Sequence, residues 1–331
     1  MINYKEIWDS INMESQNNSD KTLIARKVPS QGIFPVFLAT DFKKGIRLLY
    51  IKCDNDITKE NLPTFKGLDI TYIIGSLGEY SNQYFLKFSQ TIPNTNNIFE
   101  LVISDFSENV IQIQDKKKIS EVIIKVLNEW KLFFERDNDS TLSISSQKGL
   151  VGELYFLRDY LFQKYSYSDS LSYWTGSAKT NHDFQIVNNA VEIKTTSSKQ
   201  HKRFMISSEK QLDSSGLENL YLSLFSLNLH NNMPDRTLPA IINEINAILE
   251  NDSIASYQFN IKITKCGYDY SYSNKYLIGF SVHDIKFYHV IDGFPRLLQS
   301  NLPNGIGDLK YSVMVSACKE YEIKTEILNI I

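Results

Sequence analysis

The stretch DFQIVNNAVEIKTTSS, running from Asp183 to Ser198, restricts the fold of this chain more than any other. Two short runs of strand-forming residues flank an Asn-Asn pair, the pattern of a tight hairpin. The reading is a strand over Phe184–Val187, a turn at Asn188–Asn189 and a second strand over Ala190–Lys194. Side chains alternate along a strand, so Glu192 and Lys194 share one face while Val191 and Ile193 share the other. The apolar pair is expected to face a core and the charged pair to face whatever approaches. Asp183, at the head of the first strand, can then come next to Glu192.

That arrangement has chemical consequences. Adjacent carboxylates repel, and a hard cation relieves the repulsion by taking oxygens from both. Mg²⁺ fits such a site because it binds through one or two carboxylates and keeps several waters. Lys194 would sit beside it as a positioning and charge-stabilising group. The spacing alone is common in surface strands, so flanking residues matter. Glu153 lies in GLVGELYFLRDYL at the rim of an apolar stripe, where a lone carboxylate is costly. It is read either as a site carboxylate or as an edge residue reaching water or Arg158.

After the hairpin comes TTSSKQHKRFMISSEKQL, in which Lys194, Lys199, Lys202, Arg203 and Lys210 face a single acid, Glu209. With its hydroxyls, this run suits phosphate contacts. Lys199, His201, Lys202, Arg203 and Lys210 are therefore candidate DNA contacts. Gln211 can point back at the site, and His182 can touch a phosphate or a water. His230, His283 and His289 have no ligand spacing, and neither a phosphate-binding G-x-x-x-x-G-K-[ST] loop nor a serine elbow occurs.

A helix bearing Glu, then W-x-G…D-F, a hairpin, E-I-K-T, a basic segment and a helix with Gln-Leu together resemble the PD-(D/E)XK nuclease superfamily. More narrowly they resemble the bacterial members found in restriction and phage-defence gene clusters. The resemblance is strongest over 145–215. It implies an α/β (α+β) restriction-endonuclease-like core, with a mixed central sheet flanked by helices. It also implies Asp183, Glu192 and Lys194 as the signature triad, Glu153 as the helix carboxylate, and metal ligation by Asp183, Glu192, Glu153 and the Ile193 backbone carbonyl. Mg²⁺ is the implied cofactor, with Mn²⁺ able to substitute. His182 stands where the superfamily has the proline of its name.

Length and composition set the frame. At 331 residues the chain has room for two domains, read as 1–137, β-rich and ending in a helix, and 138–331, the nuclease core with C-terminal strands. The first is expected to supply recognition or protein contacts. A net charge of −3 excludes a general polyanion binder, so any DNA surface must be local. Cys53, Cys266 and Cys318 are far apart and form no zinc or disulfide pattern. With no apolar leader and no membrane-length run, the expectation is a cytoplasmic protein, and the Asn/Ile/Lys-rich composition matches low-GC bacteria. The partners expected are DNA and other subunits of a defence system, with no membrane and with homodimerisation left open. The alternative reading is a non-catalytic DNA-binding or assembly subunit that keeps the fold.

Secondary structure follows from periodicity. Helices are expected over 3–13, 117–137, 145–165 (capped by Ser145 or Ser146) and 237–251, and a loop over 166–181. Strands are expected in GIFPVFLATD, IRLLYIKCD, ITYIIGS, QYFLKFSQ, FELVISDF, LENLYLSLFSLNL, YQFNIKITKCGYDY, KYLIGFSVHDIKFYHVID and KYSVMVSACKEYEI.

Overall fold

The computed structural model describes residues 2–17, 22–53, 67–91, 96–134, 141–178, 180–198 and 202–323. The chain divides into two compact units, Met1–Asp137 and Asn138–Ile331.

The first unit opens with α1 (Tyr4–Asn17), followed by β1 (Leu23–Lys27), β2 (Val36–Asp41), β3 (Ile46–Lys52), β4 (Leu68–Leu77) and β5 (Tyr80–Gln90). These strands pair antiparallel in the order β1-β2-β3-β5-β4. Two helices, α2 (Asn96–Ile111) and α3 (Ile119–Phe134), complete it. FELVISDF, expected as a strand, lies inside α2. Phe99, Val102, Ile103, Phe106 and Val110 are all buried, and that spacing is helical. Five apolar residues in a short window cannot separate a strand from a buried helix face; here tertiary packing decides, with Phe106 against Phe88 at 4.8 Å.

The second unit starts with α4 (Ile144–Phe156), which runs through a π-helical turn at Leu157–Leu161 into α5 (Phe162–Lys164). Ser143 is its cap, rather than Ser145 or Ser146, since the Ser143 side chain accepts from Ser146 N–H. The expected loop over 166–181 holds α6 (Tyr167–Tyr173), capped by Ser166. Then come β6 (Phe184–Ile186), β7 (Asn189–Thr196), β8 (Arg203–Ile206), β9 (Asn219–His230), α7 (Leu238–Ile248), α8 (Ser253–Lys265), β10 (Gly279–His289) and β11 (Tyr311–Met314). The central sheet is mixed, ordered β10-β9-β7-β6, with β7 parallel to β9 and the other pairs antiparallel.

YQFNIKITK, expected as a strand, belongs to α8. Asp252 caps that helix by accepting from Ala255 N–H, and Ala255, Phe259 and Ile263 recur every four residues in the core. Alternation at Phe259, Ile261 and Ile263 imitates a strand but is overruled by the cap. After Met314 the last expected strand turns into 3₁₀-helix at Val315–Tyr321.

Both faces of the central sheet are covered. Val191 and Ile193 pack under α4, where Gly152 permits close approach: a Cβ there would stand 2.6 Å from Thr195 Cγ2. On the opposite face, Ala190, Leu220, Leu222 and Leu224 join Phe204, Ile206, Leu212 and Val313 in a second core. Each fully buried aliphatic contributes about 1.5–3 kcal/mol. The charged face of β7 is thus not open along its length, which corrects the expectation of a free approach to Glu192.

Candidate active site

The hairpin turn lies at Val187–Asn188, one residue earlier than the sequence suggests, because Ile186 pairs with Asn189. Phe184 faces Val191, so the next position outward sets Asp183 opposite Glu192. The turn costs strain: Val187 has φ +54°, a region that β-branched residues avoid, and is 74% exposed. Asp183 is then pinned from three sides. Its carbonyl accepts from the N–H groups of Thr175 and Gly176, both at 2.9 Å, and its Oδ2 accepts from Ile193 N–H at 2.7 Å.

Glu192 is fully buried, and what meets its charge is the Lys194 ammonium and the Asp183 backbone N–H. Lys194 Nζ stands 2.6 Å from Oε1 as an ion-pair partner and donates to Gln211 Oε1 at 3.0 Å. Gln211 Oε1 also accepts from Ser207 N–H at 2.8 Å, so Gln211 is a fixed prop for the lysine. Burial, and then the charge of Asp183, push the Glu192 carboxyl up to about 8, against the opposing pull of Lys194. Burial also raises Asp183, with Lys194 and the Ile193 N–H opposing. Lys194 would be lowered by burial, but Glu192 and Asp183 outweigh this and hold it above its ordinary value.

Glu153 reaches the same neighbourhood from α4. Its Oε2 accepts the indole N–H of Trp174 at 2.7 Å, and its carboxyl is driven well up by burial and then by Asp183. Arg158 is not its partner; that guanidinium pairs with Asp159 and Glu244. Gly176 lies between the two carboxylates: a Cβ there would meet Glu153 Oε2 at 2.7 Å and Asp183 Oδ1 at 3.2 Å. Trp174 and Gly176 were not among the candidate site residues. The W-x-G pattern preceding D-F was their signal, but only the fold brings the indole to a helix carboxylate 21 positions earlier.

The remaining candidates divide. His182 is buried, and its Nε2 bonds to the Asp213 carbonyl at 3.2 Å; burial lowers its pKa. Lys202 is 3.5 Å from Asp284 Oδ2. Arg203 and Lys210 are exposed, the first on β8 and the second on the 3₁₀ turn Glu209–Leu212 that carries Gln211. Lys199 and His201 lie outside the described residues. Ile193 presents its N–H to Asp183. Among the described residues, no three Asp, Glu, His or Cys side chains form a ready-made metal cage. No described helix is long and apolar enough to cross a membrane.

A mixed sheet flanked by helices, with Asp183, Glu192 and Lys194 on one hairpin, is the restriction-endonuclease-like fold of the PD-(D/E)XK class. The chain belongs to the family described as "Putative PD-(D/E)XK family member" (DUF4420), whose sequence model matches residues 4–316 and so takes in both units. No curated protein and no solved structure matches the chain.

Proposed function

We propose that the protein is a Mg²⁺-dependent DNA endonuclease, hydrolysing phosphodiester bonds as a subunit of a bacterial restriction or anti-phage system. The observation that carries this is Glu192: a fully buried carboxylate opposite a second one, with Glu153 close by and a single lysine to offset all three. Such a pair costs several kcal/mol unless a cation or protons compensate it. The donor set therefore fits a hard divalent ion, which Asp183, Glu192, the Ile193 carbonyl and Glu153 would hold. When bound, Mg²⁺ lowers the pKa of a coordinated water and offsets charge on the scissile phosphate. Lys194, propped by Gln211, orients the attacking water and stabilises the developing negative charge. Trp174 holds Glu153 toward the site. Arg203 and Lys210 offer exposed cations for the DNA backbone.

One observation favours the alternative, a non-catalytic DNA-binding or assembly subunit. The 2.6 Å Lys194–Glu192 contact neutralises much of the site internally. Incubating plasmid with wild-type and Lys194→Ala protein in Mg²⁺ separates the readings. Nicking by wild type alone is expected. Calorimetric Mn²⁺ titration adds a second readout: binding abolished by Asp183→Asn supports the nuclease, and binding indifferent to it supports the scaffold.

A further inference from the structure

β8 and β11 form a two-stranded antiparallel ribbon, pairing Arg203 with Met314, Phe204 with Val313, Met205 with Ser312 and Ile206 with Tyr311. Its inner residues Phe204, Ile206 and Val313 are buried in the second core of the nuclease unit. Its outer residues are Arg203, Met205, Ser312 and Met314, with Met205 54% and Met314 43% exposed. Immediately beyond the paired residues stand Ser207 and Lys310, both exposed. The outward face thus has a cation at each end, Arg203 beside Met314 and Lys310 beside Ser207, with Met205 and Ser312 between them, and no acid. Among the described residues none forms an ion pair with Arg203 or Lys310.

The ribbon is tied to the candidate catalytic lysine. Gln211 Oε1 accepts from Ser207 N–H at the ribbon's end and from Lys194 Nζ. Whatever lies on the outer face is therefore held in register with the hairpin that bears Asp183 and Glu192.

From these features we infer that the β8–β11 ribbon inserts into the major groove of B-form duplex DNA; this rests on the nuclease reading above. The distance from Arg203 to the position of Lys310 is four strand residues, about 13 Å at the usual rise. That matches a major groove about 12 Å wide, which admits a two-stranded ribbon. Arg203 and Lys310 then reach phosphates on the two rims. Met205 and Ser312, a cross-strand pair at the centre, meet base edges: the thioether contacts thymine methyl groups, and the hydroxyl bonds to either donor or acceptor atoms. The deep, narrow major groove of A-form RNA excludes such a ribbon.

The test is fluorescence anisotropy with a short fluorescein-labelled mixed-sequence DNA duplex, in Ca²⁺ to hold back cleavage, over a range of salt. All four variants change exposed side chains, and circular dichroism verifies their folding. Arg203→Ala and Lys310→Ala are each expected to weaken binding and to lower the slope of log K against log salt by about 1. Met205→Ala and Met314→Ala are expected to weaken it several-fold with the slope unchanged, and duplex RNA should not compete. If wild type binds and nicks DNA while all four variants bind as wild type does, the ribbon inference is overturned and the nuclease reading stands. Equal competition by duplex RNA also overturns it. If wild type neither binds nor nicks duplex DNA, the nuclease reading fails and the ribbon assignment fails with it.

Discussion

Replacing Glu192 by Gln should stabilise the metal-free protein, an unusual outcome for altering a buried charged residue. In the fold this carboxyl titrates at about 8, against 4.5 for an ordinary glutamate. A group whose folded pKa is raised gives full stability below the unfolded value, and that stability is lost as pH rises toward the folded value. Between pH 4.5 and 8 the wild type should therefore lose about 1.4 kcal/mol per pH unit from this residue. At pH 7 the accumulated loss is about 3 kcal/mol, and Glu192→Gln, which never ionises, should recover most of it. The assay is hydrogen–deuterium exchange of β7 amides in EDTA at several pH values, which reports on this sheet without interference from the first unit. Added Mg²⁺ should protect wild type more at pH 8 than at pH 6, and a concentration of 100 times Kd should contribute about 2.7 kcal/mol. The variant should gain nothing from the ion. The reasoning is refuted if Glu192→Gln is instead destabilised by several kcal/mol at pH 7. Breaking a buried ion pair typically has that effect, and Glu192 would then be an ionised structural partner of Lys194.

Two further substitutions probe the geometry. Gly176→Ala puts a methyl group 2.7 Å from Glu153 Oε2 and 3.2 Å from Asp183 Oδ1, so one carboxylate must move. Overpacking of this kind costs about 1–3 kcal/mol, and Mn²⁺ affinity measured by calorimetry should fall at least about tenfold, as displaced metal ligands do. Unchanged affinity would mean that the two carboxylates do not act on one ion. Val187→Gly relieves a positive φ that costs a β-branched residue about 1–2 kcal/mol, partly offset by glycine's greater chain entropy. A net gain of up to about 1 kcal/mol in urea denaturation is expected, with nicking activity retained; a loss would show that the exposed valine has a packing role.

The parts of the site carried by strand alternation were legible in the sequence. Asp183, Glu192 and Lys194 could be grouped because a hairpin imposes its own geometry on neighbours. Helices α3, α4 and α7 were legible because their apolar residues recur over several turns. The α2 and α8 segments have strand-like patterns in the sequence, since short apolar runs fit both periods until a cap or a partner face decides. Trp174 and Gly176 escaped for another reason. Their roles depend on Glu153 being brought across from α4, and a contact between separate elements leaves no local pattern. The burial of Glu192 was hidden likewise, because the second core beside β7 is completed by β8, β9 and β11, elements separate from the hairpin.

The turn links these observations. Had it formed at Asn188–Asn189, antiparallel pairing would have set Asp183 opposite Lys194, where a carboxylate and an ammonium satisfy each other. Forming at Val187–Asn188, it sets Asp183 opposite Glu192 and obliges a valine to adopt φ +54°. Asparagine, which tolerates that conformation far better, stands one position later. The strained register is the one that juxtaposes two carboxylates, and both are raised by burial as well. Strain in the backbone and repulsion between side chains thus fall on the same few residues. Under the nuclease reading proposed above, binding a cation would remove the repulsion that this register creates.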